Sequence, residues 1–390
     1  MSRISGKTVF VGLSGGVDSS VAALLFKKQG YVVIGAFIKS YNVDGCEEED
    51  AEYARRVAEK LNIPFYAFDM REEYFSRVVA EMIDGYREGR TPNPDILCNR
   101  EIKFGLFWER ARALGADYIA TGHYVRLGRT TIDKKQLTID QTKKSVGQVS
   151  NVACHLFSAR DAQKDQSYFL WKLNQEDLSH CLFPLGGLLK SEVRKIAKKA
   201  GLPTAEKKDS QGICFLGKVK LPDFLAQYIA PKKGKILDTE GNVVGEHDGA
   251  WFYTIGQRHL NVDVRPRRGG VGHPAGDRKP YYVASKDAET NTLVVAEGEN
   301  NPALYKKEIM LADVNFVGEG SRSSVRKWDF PIPVLARVRY RQLLAEAELY
   351  KLETGNYKLE LDSPVKFPAP GQSAVLYDKK GELIGGGVIC

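Results

Sequence analysis

The chain has 390 residues, 43% apolar and 27% charged, enough for two or three globular units with real cores and too apolar for a disordered polymer. Its formal charge of +8 permits a nucleic-acid partner without requiring one, so where the charge clusters matters more than its sum. No run of eighteen uncharged apolar residues is present, so no membrane-spanning helix is expected, and six cysteines without a CxxC pair fit neither a zinc ribbon nor a secreted disulfide framework.

The opening MSRISGKTVFVGLSGG reaches an apolar strand within a few residues. That leaves no space for a leader peptide, and a cytoplasmic location is expected. Residues 8–11 and 31–37 are short β-branched or aromatic runs, and between them Val17, Val21, Leu24 and Leu25 recur at helical spacing. Ala54, Val57, Ala58 and Leu61 form a second helical set, followed by a predicted strand at 64–68. After the long 71–89 segment, a helix is predicted through 102–114 and a strand at 117–121. Strands alternating with helices predict a parallel sheet covered on both faces, an α/β unit.

The polar stretch RTTIDKKQLTIDQTKKSVGQ breaks this rhythm within 128–163 and reads as a surface hairpin or insertion. Order returns at 168–173. In LLKSEVRKIAKKAGLP, Val193, Ile196, Ala197 and Ala200 share one helical face while Arg194, Lys195, Lys198 and Lys199 occupy the others. Gly201 and Pro203 stand where a helix stop belongs. Residues 207–217 form a glycine-containing loop, and 221–229 read as helical. Beyond about 231 the texture changes to short strands with turns. PVLARVRYR alternates, with Val334, Ala336, Val338 and Tyr340 on one side and Leu335, Arg337, Arg339 and Arg341 on the other. That predicts a basic strand face suited to phosphates within an all-β unit, a barrel or paired barrels. The expected domains are 1–175, a small helical unit at 176–232, and 233–390.

Three motifs carry chemistry. GLSGGVDSS at 12–20 follows a strand and opens a helix, so its glycines let backbone N–H groups approach a phosphate and the helix N-terminus adds a favourable dipole. It is no Walker A loop, since Val17-Asp18-Ser19 stands where Gly-Lys-Ser/Thr is needed. In TPNPDILCNREIKF at 91–104, Asn93 and Pro94 fit the N-cap and N1 positions of a helix. That predicts Cys98 within about the first turn, where the dipole, Arg100 and Lys103 favour a thiolate and Asp95 is placed to exchange protons. KKDSQGICFLG at 207–217 sets a second thiol, Cys214, in a polar loop beside lysines. One exposed thiol can carry a sulfur atom; two can make it and release it by exchange.

GLSGGVDSS resembles the PP-loop of ATP pyrophosphatases, which hold the pyrophosphate part of ATP while a substrate attacks the α-phosphate. GLSGGVDSS, GRTPNPDILCNREIKF, ADYIATGHYVR, KDQSYFL, KKDSQGICF, YTIGQR, RVRYR and PGQSAV occur in the order found in tRNA-specific 2-thiouridylases. The resemblance covers nearly the whole chain and implies ATP-dependent 2-thiolation of the wobble uridine in tRNA. It assigns Cys98 as nucleophile, Cys214 as the persulfide carrier, a redox disulfide between the two, and Asp95 as acid and base. ATP is implied on Gly12, Leu13, Ser14, Gly15, Gly16, Val17, Asp18 and Ser19, with Ile38 and Gly122; magnesium accompanies it without assigned protein ligands. Implied tRNA contacts are Asn93, Pro94, Asp95, His123, Lys164, Asp165, Gln166, Arg339, Tyr340 and Gln372. Sulfur is implied to come from a carrier or cysteine desulfurase protein.

A rival sulfur route, an iron–sulfur cluster on Cys98, Cys214 and Asp95, is not favoured because two thiolates face the usual four. The alternative function is a PP-loop ligase adenylating a small molecule. Three features depart from the family pattern. Ile38 stands where relatives often have methionine, the 128–150 segment is longer than usual, and Cys46 and Cys390 match no motif; these two, with Cys154 and Cys181, are read as non-catalytic.

Overall fold

The computed structural model describes residues 6–45, 47–131, 152–209, 212–213, 215–258, 260, 279–317 and 328–390. Strand β1 (Thr8–Gly12) is TVFVG, and Val9, Phe10 and Val11 are fully buried. Successive side chains of a strand point to opposite faces. Accordingly, Val9 and Val11 enter the core shared with helix α1 (Val17–Lys28), while Phe10 enters the one that holds Phe104 and Phe107. An apolar run with no alternation is what a strand covered on both faces requires.

Strand β2 (Val32–Lys39), helix α2 (Glu47–Leu61), strand β3 (Phe65–Asp69) and strand β4 (Tyr118–Ala120) follow. Helix α2 buries Ala54, Val57, Ala58 and Leu61, the predicted set, and its first turn is acidic, matching the helix dipole. A two-residue strand, β7 (Cys181–Leu182), completes a five-stranded sheet in the order β3-β2-β1-β4-β7, with every pairing parallel. Between β4 and β7, strands β5 (Arg126–Thr131) and β6 (Val152–Phe157) pair antiparallel as the base of the expected hairpin; most of the 128–150 insertion falls outside the described residues. The helix Lys190–Lys199 presses Val193 and Ala197 into the core of α1, so this stretch shares its packing with the first sheet.

The β-rich remainder forms two bodies. Strands β8 (Gly234–Asp238), β9 (Val243–His247), β10 (Tyr281–Asp287) and β11 (Thr292–Glu297) make a four-stranded sheet. Strands β12 (Tyr305–Phe316), β13 (Ile332–Arg337), β14 (Ala345–Lys351), β15 (Tyr357–Lys366), β16 (Ser373–Tyr377) and β17 (Leu383–Ile389) close an antiparallel barrel. Closure pairs every strand on both sides and removes exposed edges. No helix among the described residues is long and apolar enough to cross a membrane.

The basic strand face predicted for PVLARVRYR does not form. Val334, Ala336 and Val338 are buried in the barrel as predicted, but the strand ends at Arg337. Arg337 is only 9% exposed. It pairs with Asp165 at 3.5 Å and lies 4.9 Å over the Tyr377 ring. Arg339 donates to the Ile255 carbonyl and rests 5.4 Å over Phe367, and Arg341 turns away with a φ of 65°. The outer face of the barrel is here an interface with the rest of the chain, and its arginines are used within it. Replacing Asp165 by alanine strands the buried guanidinium of Arg337. A loss of about 3–5 kcal/mol is expected, read as a lowered thermal unfolding midpoint.

Candidate active site

In an open α/β sheet, ligands bind outside the carboxyl ends of the strands where the strand order reverses. Here that place lies between β1 and β4. At the end of β1 the Leu13 N–H still reaches the Ala36 carbonyl at 2.7 Å, and the chain then turns sharply. Gly15 takes a φ of +70°, and a Cβ there would stand 2.3 Å from the Asp50 carbonyl oxygen. Ser19 Oγ accepts from Ser14 N–H at 3.1 Å, while Ser20 Oγ donates to the Gly16 carbonyl at 2.7 Å. Gly16 caps α1 without a side-chain hydrogen bond, so the first-turn N–H groups stay available to an anion. Gly122, just past β4, packs against this turn: a Cβ would come within 2.7 Å of Ser19 N.

A cleft of about 310 Å³ opens there. Of the residues assigned to ATP, Gly12, Leu13, Ser14, Asp18, Ser19, Ile38 and Gly122 line it; of the remaining candidates, Cys98, His123 and Gln166 do. Gly15, Gly16 and Val17 shape the turn behind it, Val17 being buried in the α1 core. The cleft also recruits residues that sequence reasoning gave no place in an ATP site, among them Ser40, Asn42, Glu47, Asp50, Tyr74 and Thr121. Glu47 and Asp50 belong to the acidic first turn of α2, a pattern equally suited to an ordinary helix start.

Asn93 and Pro94 hold the predicted cap positions, with Asn93 Oδ1 accepting from Asp95 N–H at 3.1 Å. The helix they open runs without a break from 94 to 113. Cys98 is its fifth residue, beyond the free N–H groups of the first turn, and is only 5% exposed. Burial pushes the thiol up, with the Asp95 carboxylate acting in the same direction against Lys103 and a hydrogen bond from Tyr74. The dipole-stabilised, exposed thiolate predicted from the sequence is therefore not the resting state. Burial also raises the Asp95 carboxyl, with Lys103 opposing.

The segment leading into this cap is clamped by both β bodies. Thr91 N–H donates to the Pro370 carbonyl at 2.7 Å, Gln372 Nε2 donates to the Thr91 carbonyl at 2.7 Å, and Lys286 Nζ reaches Thr91 Oγ1 at 3.3 Å. Gln372 thus spends its amide on the backbone before Asn93. His123 Nδ1 lies 2.7 Å from Thr121 Oγ1, and burial holds the ring well below its ordinary pKa, hence neutral. Gln166 Oε1 accepts from Tyr124 N–H at 3.0 Å. Asp165, 2% exposed, accepts from Ala159 and Ser167 N–H besides pairing with Arg337. Tyr340 leaves the face predicted for it and packs on Phe169 with ring centres 4.5 Å apart.

A charge network surrounds the loop. Asp18 accepts from Tyr124 Oη at 2.8 Å and from Lys190 Nζ at 2.7 Å, and Lys190 also meets Asp209 at 2.9 Å. Burial opposes the charge on Asp209, yet hydrogen bonds from Lys164 and Lys190 hold its carboxyl down at about 2. Asp50 pairs with Lys207, whose ammonium lies 4.0 Å over the Tyr53 ring. Val43 N–H donates to the Phe215 carbonyl at 3.0 Å and Lys218 N–H to Asp44 at 2.9 Å, which ties the described parts of the 207–218 segment beside the cleft. Cys214 itself, and with it the Cys98–Cys214 pairing, falls outside the described residues; Cys98 is a free thiol. Lys190→Ala leaves Asp18 uncompensated at the phosphate loop, and nucleotide affinity measured by calorimetry is expected to fall about tenfold or more.

Residues 7–218 match the family described as tRNA methyl transferase HUP domain, 222–297 its PRC-barrel domain, and 306–389 the aminomethyltransferase beta-barrel domain. A tRNA-specific 2-thiouridylase MnmA of Alkaliphilus oremlandii is 41% identical over 387 residues, covering 98% of this chain and 94% of that protein. One from Geobacillus kaustophilus is 43% identical over 377 residues, covering 95% and 92%. The chain belongs to the tRNA-specific 2-thiouridylase family. The first matched segment contains the parallel sheet and the β5–β6 hairpin, the second the four-stranded sheet and the third all but the first residue of the barrel, and the 2-thiouridylase relatives run through all of them. A solved 4-thiouridine synthetase–RNA complex with bound ATP is 17% identical, covers 54% of this chain and 46% of that one, and has a TM-score of 0.32; at that level the likeness carries no argument.

Proposed function

We propose that this protein is a tRNA-uridine 2-sulfurtransferase that uses ATP to replace the C2 oxygen of the wobble uridine by sulfur. The observation that carries the reading is one cleft holding both an uncapped helix N-terminus and the Cys98 thiol, in a chain 41–43% identical to 2-thiouridylases over nearly its full length. The loop from Gly12 to Ser19 holds the nucleotide phosphates, and Ile38 and Gly122 border the rest of the nucleotide. The uridine, splayed out of its stack as base chemistry requires, attacks the α-phosphate through its C2 oxygen and pyrophosphate leaves. Cys214 carries the sulfur as a persulfide received from a donor protein. Cys98 attacks the inner sulfur of that persulfide, a Cys98–Cys214 disulfide forms, and the released sulfur adds to C2 as AMP departs. An external thiol must reduce the disulfide before the next turn. Asp95, with its raised pKa, takes and returns protons beside the base.

Among the described residues no three His, Cys, Asp or Glu side chains converge as a metal-ligand set, so magnesium is assigned to the nucleotide and no step is routed through a protein-held ion. An iron–sulfur cluster on Cys98, Cys214 and Asp95 would have two thiolates against the usual four, and no step is derived through one. For tRNA, His123 and Gln166 border the cleft, while Lys164, Arg339, Tyr340 and Gln372 exchange their internal partners for the anticodon arm. Asp165 acts through Arg337. The reaction is placed in the cytoplasm, where tRNA and reduced thiols coexist.

Turnover of ATP to AMP and pyrophosphate, followed with and without unmodified tRNA, tests this reading. Release that depends on a tRNA bearing a wobble uridine is expected. Release with no tRNA and a small-molecule acceptor instead would establish the ligase alternative.

A further inference from the structure

The residues 98–106 wind as a π-helix rather than an α-helix, and the Phe107 N–H bonds to the Ile102 carbonyl, five residues back. In an α-helix, residue i+5 stands about 140° round the axis from residue i. The wider turn returns it to nearly the same side, a local feature common at functional sites. Here it sets Cys98, Ile102, Lys103 and Phe107 together along the cleft wall. Gly105 fits the same turn, since a Cβ there would meet the Arg100 carbonyl oxygen at 2.9 Å.

Lys103 is the one lysine or arginine among the described residues lining the cleft, against Asp18, Glu47 and Asp50. Two of those acids are compensated from outside the cleft, Asp18 by Lys190 and Asp50 by Lys207. The Lys103 ammonium is fixed in place: its Nζ donates to Asn99 Oδ1 at 3.1 Å, and Asn99, 2% exposed, donates in turn to the Phe169 carbonyl at 3.1 Å. A nucleophile must become anionic at this wall, and a buried anion is held only by a nearby fixed cation or hydrogen bonds.

We propose that Lys103 is a positioning residue of the thiolation reaction, its fixed ammonium supplying the positive charge against which Cys98 ionises. The inference rests on the sulfurtransferase reading for its purpose but on the helix geometry for its substance. Lys103 also opposes burial at Asp95 and adds to burial in keeping His123 neutral, so one charge acts on three neighbours, in each case after burial. The Cys98 proton passes to solvent or to Asp95, and no oxidant or reductant enters this step.

The test is the pH dependence of iodoacetamide alkylation at Cys98 in the full chain, read by mass spectrometry of the peptide that contains it. It needs neither ATP nor tRNA, so it succeeds or fails apart from the thiolation reading. Lys103→Gln, which keeps a donor toward Asn99, is expected to raise the alkylation midpoint by about one pH unit or more, and Lys103→Arg to restore it. Lys103→Met gives the same comparison should the glutamine variant not fold. An unchanged midpoint in the neutral variants overturns the proposal. So does an equal rise in the arginine variant, which would make packing rather than charge the cause.

Discussion

Alanine at Gly122 is expected to weaken nucleotide binding at least a hundredfold, about 2.7 kcal/mol, in a titration with ATP. The added Cβ would meet Ser19 N at 2.7 Å and the Asp18 carbonyl carbon at 2.9 Å, both backbone atoms of the first turn of α1. Neither can swing aside as a long side chain would, so the loop after β4 and the phosphate loop must part. The N–H groups that would face the phosphates move with them, and an anion site built from backbone dipoles loses its preorganisation. Gly187→Ala is the matched comparison. Its Cβ meets nothing within 4 Å, and binding should stay within about twofold of the unsubstituted chain.

The second large effect belongs to Cys98. Serine at this position is expected to lower tRNA thiolation by a factor of about 10³ or more, since its hydroxyl does not ionise in the working range and cannot form or break a disulfide. Nucleotide binding should change little, because serine is close in volume and Tyr74 remains as a hydrogen-bond partner for its hydroxyl. Serine at Cys154 or Cys181 provides the contrast. Both thiols are buried, and burial lifts Cys181 well above its usual range while its Sγ donates to the Asp177 carbonyl at 2.8 Å. Their replacement should cost stability and leave turnover per folded molecule unchanged.

Local rules were enough for some of this architecture. The α2 core set follows from spacing, the β1 run from two-sided burial, and the Asn93-Pro94 cap from the backbone N–H groups that a helix start leaves free. The π-turn at 98–106 was not legible, because NREIKF satisfies an α-helical reading equally well. Cys98 is the fifth residue of the helix and is buried in the core that also holds Tyr74 and Ile102, a tertiary placement that the cap residues alone do not give. Asp18 and Lys190 are 172 positions apart, and no sequence period connects them. Arg337 and Arg339 read as a basic face suited to phosphates because strict alternation says nothing about what covers a strand's outer face. Here Asp165, Tyr377 and Phe367 cover it.

Nucleoside analysis of tRNA from cells lacking this protein, complemented in turn by the unsubstituted chain, Cys98→Ser and Cys214→Ser, addresses the paired-thiol chemistry most directly. The account predicts that 2-thiouridine at the wobble position disappears without the protein, returns with the unsubstituted chain, and stays absent with either serine variant. Restoration of 2-thiouridine by either variant would contradict it.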